Sequence, residues 1–279
     1  MIAKRKRIRA FCFSILMMSV SFSGIKAAPQ EAKAAGYGIS NPRTDANGVS
    51  TWDCIYFGDY YQSSSDKKEK IKWRVLYVSG EDAFLLSDKN LDSQPFHTKK
   101  EAVTWETCSL RTWLNEDFYR AAFNEKEQSA IRTTDVVTEN GIAGKGTSDK
   151  VYLLSVAEAA NPSYGFSSSL DDSETRQAKN TEYAKGRGAL TDDAARSVGN
   201  GWWWLRSSGE NLTSVVNVGY YGKIFKNGYD PTYKKDAVRP VLHLDLSSDL
   251  WSKAGTVSMP GGKIEKKDPV RQSTGTMDD

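Results

Sequence analysis

The sequence predicts an α+β domain, and three observations carry that prediction. Period-two alternation marks strands near both ends of the chain, period-3.6 apolar spacing marks helices between them, and about residues 51–258 are long enough to bury a full core without metals or many disulfides. Strands at both ends with helices between imply mostly antiparallel pairing, with the two ends meeting in one sheet.

The first strands are TWDCIYFGDYYQ and KIKWRVLYVSG; in the second, Trp73, Val75 and Tyr77 share one face and Lys72, Arg74 and Leu76 the other. Ser79-Gly80-Glu81-Asp82 turns the chain into a third, DAFLLSDK, giving a meander. The middle is helical. Leu110, Trp113, Leu114 and Phe118 recur at spacings of three and four, one face of a helix that must bury. Asn124 with Glu127, and Ser155 with Glu158, are capping-box starts, the second following the strand-like VYLLS and stopped by Pro162. Thr181 to Ala184 adds a helical turn. Residues 138–150, 167–179 and 185–200 are polar loops longer than ordinary connections, where binding concentrates. Strands return in GWWWLRSS, TSVVNVGYYGKIF and AVRPVLHLDL.

The N-terminus sets the compartment. Lys4, Arg5, Lys6, Arg7 and Arg9 precede an apolar run from Phe11 to Ile25, closed by Lys26 and followed by the small residues of Ala32-Lys33-Ala34. This is the pattern of a secretory signal, and the run is shorter than the roughly 18 residues a membrane span needs. The resulting division is a signal peptide at 1–34, a lead-in at 35–50 rich in Gly, Asn, Ser and Pro, a globular domain at 51–258 and a disordered tail at 259–279. Cleavage removes seven basic residues and one acidic residue from the 38 and 35 present, leaving 31 against 34 and a net charge of −3. No basic patch remains to suggest nucleic acid, and no membrane span remains. The exported chain keeps two cysteines, Cys54 and Cys108. They are either a disulfide, stabilising by roughly 4 kcal/mol for a loop of that length, or two buried thiols.

Catalytic signatures are sparse. His97 lies in a loop and His243 on the polar face of a strand, with no HExxH, CxxC or GxSxG pattern. Gly141, Gly144 and Gly146 precede no capped helix with a Lys-Ser/Thr pair, so no phosphate loop is indicated. Asp171, Asp172 and Glu174, and Asp230 with Asp236, lack the spacing of a calcium loop and read as solvated acids. No catalytic residue, metal or cofactor is assigned. Aromatics carry more. Tyr220 and Tyr221, and Tyr229 with Tyr233, lie in Gly- and Asn-rich surroundings where rings stack on sugars or peptides, and strand aromatics are as often core. In GWWWLRSSG, alternation sends Trp202 and Trp204 to one face and Trp203 to the other, so the three indoles cannot form one platform, and Trp203 is the candidate for the loop-facing side. Trp105, Arg111, Trp113, Trp202, Trp204, Arg206, Arg239 and Pro240 read as structural. The two later arginines follow apolar strand residues and are expected to be buried, with carbonyls or a carboxylate such as Asp53 or Asp245 for partners.

The runs TWETCSLRTWLN, LLSVAEA, WWWLRSS, NVGYYGKI and VRPVLHL, in that order, resemble a family of secreted and surface bacterial domains of unknown function. Through W-W-L-R-S, a glycine-containing strand and a closing V-R-P-V-L strand, that family is similar in turn to the formylglycine-generating-enzyme group of C-type-lectin-like folds. The resemblance implies a closing strand that pairs back near the start of the domain and irregular loops that form a ligand surface. The enzymes of that group use a late pair of cysteines to bind copper, and this chain has no cysteine after Cys108. The favoured expectation is a secreted, non-catalytic recognition module for a glycan or cell-surface polymer. An enzyme on the same scaffold and a structural module of a surface assembly stand as alternatives.

Overall fold

Two sheets share one core, and strands buried on both faces lie within each of them. A computed structural model of the protein describes residues 36–137, 146–194 and 197–261. The signal segment, Cys12, Gly141, Gly144 and the tail from residue 262 lie outside the described residues.

The first sheet runs β1 (Arg43–Thr44), β2 (Val49–Tyr61), β3 (Lys68–Ser79), β4 (Asp82–Ser87), β13 (Val241–Asp245) and β6 (Ile131–Arg132), with β14 (Ser252–Pro260) also on β2. Every pair in it is antiparallel. The two ends of the domain therefore do meet, through β13 on β4 and β14 on β2. The ordered unit also extends past both limits read from the sequence: β1 and the start of β2 fall in the lead-in, and β14 continues to Pro260. In β14 the burial pattern is mostly exposed, so its sequence carries no apolar alternation to announce it.

The second sheet runs β11 (Ile224–Tyr229), β10 (Val215–Val218), β9 (Trp203–Ser208), β12 (Ala237–Val238) and β5 (Asp92–Ser93), with β9 and β12 parallel. The segment AVRPVLHLDL, expected as one strand, is two. β12 belongs to the second sheet and β13 to the first, and the chain crosses between them at Arg239-Pro240. Proline has no N–H for a ladder, and its carbonyl instead accepts Ser87 N–H at 3.0 Å. At this crossing Arg239 is wholly buried. Its guanidinium donates to the carbonyls of Ser87 at 3.0 Å, Arg176 at 3.1 Å and Asp88 at 3.4 Å, and it stacks 5.0 Å from the Trp203 ring. Burial pulls its pKa well below the ordinary arginine value.

The expected helix face is present. α1 (Ser109–Trp113) continues through a π-helical turn, Leu114–Phe118, into α2 (Tyr119–Ala122), and Leu110, Leu114 and Phe118 are buried. Phe118 packs 4.9 Å from Tyr60 of β2, and Phe123 stacks on Phe57 at 5.3 Å. α3 (Glu125–Ala130) and α4 (Val156–Ala159) both start with complete capping boxes, on Asn124/Glu127 and Ser155/Glu158. Thr181 caps α5 (Glu182–Gly186). A small hairpin, β7 (Thr134–Val136) with β8 (Thr147–Asp149), completes the elements. VYLLS forms no strand. Tyr152 alone makes a two-bond bridge to Val241.

One open alternative is decided and one expectation about partners is corrected. Of the two readings of Cys54 and Cys108, the structure has the free, buried thiols and not the disulfide. Each has its own local role, the Cys108 sulfur capping α1 by accepting Arg111 N–H at 3.4 Å and the Cys54 thiol donating to the Trp52 carbonyl at 3.8 Å. Asp53 and Asp245 do not serve the buried arginines. Asp53 accepts Ser40 and pairs with Arg43, Asp245 pairs with Arg132, and Arg206 is satisfied by Glu158 and the Leu153 carbonyl. Asp149 gathers the other motif residues, accepting Trp105 Nε1 at 2.9 Å and Arg111 Nε at 2.6 Å. Trp113, half-buried, packs 5.7 Å from Phe118.

Candidate functional site

Most large apolar side chains of this fold are inside it, so exposed aromatic surface is informative. Tyr77 on β3 and Tyr229 on β11 are the exposed aromatics among the described residues, and around Tyr229, on the outer half of the second sheet, further part-exposed rings gather. β10 and β11 form a hairpin whose turn, Gly219-Tyr220-Tyr221-Gly222-Lys223, closes with Gly219 N–H on the Lys223 carbonyl at 2.9 Å and Gly222 N–H on the Gly219 carbonyl at 2.8 Å. A bulge between Val215 and Asn217 shifts the register, so that Val215 faces Tyr229 and Asn217 faces Phe225. Beyond Tyr229 the Asp230 carboxylate accepts Thr232 N–H at 2.9 Å, and the Asp230 carbonyl accepts Tyr233 N–H at 3.0 Å. This tight turn returns Tyr233 to Tyr229, with ring centres 4.7 Å apart and planes at 67°.

The pair stands over an open groove of about 620 Å³ whose lining includes Lys100, Thr213, Asp230, Lys234 and Lys235. Tyr229 is 47% exposed. Lys100 Nζ meets Asp230 at 2.8 Å, and that bond, with the Thr232 N–H and hydroxyl, holds the Asp230 carboxyl down to about 2. A second aromatic group lies at the hairpin turn. Half-buried Trp202 stacks on Phe225 at 4.7 Å and meets Tyr220 edge-on at 5.6 Å, with Lys223 Nζ 5.6 Å from the Phe225 ring. Burial is the largest cause that raises the Tyr220 pKa, followed by the nearby acidic groups Asp192, Tyr233 and Asp236.

Beneath these aromatic groups Asp236 is buried and its carboxylate accepts Asn217 Nδ2 at 2.6 Å. Burial pushes its pKa up to about 7, the Asn217 bond opposing. The other Asn217 amide atom, Oδ1, is buried without a partner.

The structure thus joins Tyr229 to Tyr233 and Tyr220 to Trp202. Tyr221 is half-buried, and its carbonyl ties the turn to Ser173 N–H at 2.9 Å. Trp203 is removed from any ligand surface. It is wholly buried on β9, flanked by β10 and β12, with its ring on Arg239. Trp204 is equally buried, its Nε1 donating to the Gln94 carbonyl at 3.0 Å. The tryptophan that reaches the surface is Trp202, read as structural from the sequence, and Phe225 joins it unforeseen. The only sequence signal for Phe225 is its place at the start of a short strand whose later residues, Lys226, Asn227 and Gly228, are polar or small.

The two histidines lie elsewhere. His97 bonds Glu101 and Ser109, and His243 bonds Asp82 at 2.9 Å and stacks on Phe84. Among the described residues no three His, Cys, Asp or Glu side chains are grouped to hold a metal ion, and no helix is long and apolar enough to cross a membrane.

No curated protein and no solved structure matches the chain. A family model described as a domain of unknown function (DUF6273) matches residues 80–246, from the β3–β4 turn through β13. That span holds all of the second sheet and both aromatic groups, and leaves β1 to β3 and β14 outside it. It covers more than half of the 279 residues, and the chain therefore belongs to the DUF6273 family.

Proposed function

We propose that this protein is a secreted, non-catalytic recognition module that binds a glycan or cell-surface polymer in the Tyr229–Tyr233 groove. The observation that carries the reading is the pairing of two part-exposed tyrosines over an open groove rimmed by Lys, Thr and Asp. Ring faces complement the apolar faces of sugar rings, and the rim supplies hydrogen-bonding groups that fix orientation. A rigid setting supports it, because Asp230 and Thr232 lock the turn that carries Tyr233. Against a thiol mechanism stand Cys54 and Cys108, both buried, with burial raising their pKa values to about 11 and about 12. The same reading takes the fold as a C-type-lectin-like relative of the formylglycine-generating-enzyme group. Its support is the pairing of the closing strand β13 with β4 and the irregular segments around the second sheet.

The test is a glycan array probed with the purified protein and with Tyr229→Ala and Tyr233→Ala. Binding lost in both variants, with unchanged thermal unfolding, is the expected result. Absence of binding to every polysaccharide and cell-wall fraction sinks the reading.

A further inference from the structure

We propose that the polymer taken by this groove is anionic, a glycan carrying carboxylate or phosphate groups along its length. The inference rests on the reading above and narrows its ligand class.

Charge along the lining carries it. The groove presents Lys100, Lys234 and Lys235 against one carboxylate, Asp230. That carboxylate is already engaged by Lys100 at 2.8 Å and by the Thr232 N–H at 2.9 Å and hydroxyl at 2.7 Å. Lys100 and Asp230 thus neutralise each other, and Lys234 and Lys235 are left over. Both are exposed, and neither is in an ion pair among the described residues. Their backbones are fixed, since the Lys234 carbonyl accepts Ser93 Oγ at 2.8 Å and the Lys235 carbonyl accepts Leu190 N–H at 2.9 Å. Both residues therefore stand on fixed backbone in the groove lining, and their side chains bring two ammonium groups to the Tyr229–Tyr233 groove.

The neighbouring acid Asp236 does not cancel them. It is buried and bonded to Asn217, and burial keeps much of it protonated near neutrality. Lysine also presents donors and no acceptor. A neutral sugar, whose hydroxyls both donate and accept, uses such a rim poorly, whereas a carboxylate or phosphate oxygen accepts from it directly. The excess is local, because the chain beyond its first 34 residues carries 31 basic and 34 acidic residues.

The experiment measures binding of the purified protein to three soluble oligomers of matched length: polygalacturonate, a phosphorylated β-1,4-glucan and a neutral β-1,4-glucan. Each is titrated at low and high sodium chloride with the parent, with the double variant Lys234→Ala/Lys235→Ala, and with Tyr233→Ala. One or both anionic oligomers are expected to bind more tightly than the glucan and to weaken with salt. The double lysine variant is expected to lose about tenfold affinity for them, the scale of two exposed charge contacts, and to lose less for the glucan, which offers no charge to the ammonium groups. Comparison of the two anionic arms identifies the group. Glucan binding equal to anionic binding, still lost in Tyr233→Ala, overturns the anionic inference and leaves the glycan reading standing. Anionic binding that survives Tyr233→Ala places the polymer elsewhere and overturns both.

Discussion

Glu158 serves two partners at once: its carboxylate accepts the Ser155 N–H at 2.8 Å to close the capping box of α4, and both its oxygens receive the guanidinium of Arg206. Arg206 lies on β9 and also donates to the Leu153 carbonyl at 2.8 Å. One carboxylate thus fixes a helix start and pins it to the second sheet. The arginine side chain is 8% exposed, so removing its partner leaves a nearly buried charge uncompensated. Glu158→Ala is expected to destabilise by about 3 kcal/mol, and Glu158→Gln, which keeps an acceptor for the cap, by less. Urea unfolding of both variants, of Arg206→Ala and of the double variant checks this. A coupling energy near zero would show that the pair is not a unit.

Asp236 should make stability fall as pH rises. Its folded pKa is about 7 against an ordinary 3.8, so between those values the native state holds a proton that the unfolded chain has released. The contribution of Asp236 to stability is therefore greatest below about pH 4, declines through pH 7 and levels above it. Asp236→Asn cannot ionise, so relative to the parent it should gain stability across that window. The gain is a few kcal/mol, on the scale of about 1.4 kcal/mol per pK unit. Chemical unfolding of parent and variant at pH 5 and pH 8 reads the difference directly. Equal gains at both pH values would mean that Asp236 does not titrate in this range.

Cys54 and Cys108 should be reduced and inert in the folded protein. Burial is the largest cause of the rise in both thiol pKa values, so little thiolate forms at neutral pH. Iodoacetamide is expected to leave both untouched in buffer and to modify both in guanidinium without added reductant, as peptide mapping would show. A Cys54–Cys108 peptide surviving non-reducing digestion overturns the assignment.

What the sequence made legible was local. The caps at Asn124 and Ser155 announce themselves because donor and acceptor lie three residues apart, and the Leu110–Phe118 face because one helix generates its own period. The edge strand β14 was hidden, since exposure removes the alternation that marks a strand. The break at Arg239-Pro240 was hidden by apolar residues on both sides, which suit a strand of either sheet. Burial of Arg206 and Arg239 was legible, but their partners were not: Glu158 is 48 residues from Arg206, and the Ser87 carbonyl 152 from Arg239. In the candidate site, Tyr229 and Tyr233 were found because a turn of the Asp-Pro-Thr type joins them. Alternation separated Trp203 from its neighbours and could not say that both faces of β9 are covered, so the wrong indole was taken for the surface.

The hairpin turn that carries Tyr220 depends on Gly222. Its φ is +78°, a region that costs other residues strain, and a Cβ there would lie 1.9 Å from the Ser173 carbonyl oxygen. The Gly222 carbonyl also accepts Arg176 Nε at 2.6 Å, and the Arg176 guanidinium donates further to the carbonyls of Ser167, Ser169 and Asp171. Moving the turn to relieve the clash therefore disturbs a wholly buried arginine. Gly80 is the control: its φ is +58°, with no atom within 4 Å of an added Cβ. Gly80→Ala should cost only the backbone strain, about 1 kcal/mol, and lower the melting temperature by roughly 2–4 °C. Gly222→Ala should cost about 3 kcal/mol or more, a fall of roughly 6–12 °C. Calorimetric melts of the two variants that agree within a degree would mean that the Gly222 turn yields without resistance and that Arg176 does not hold it.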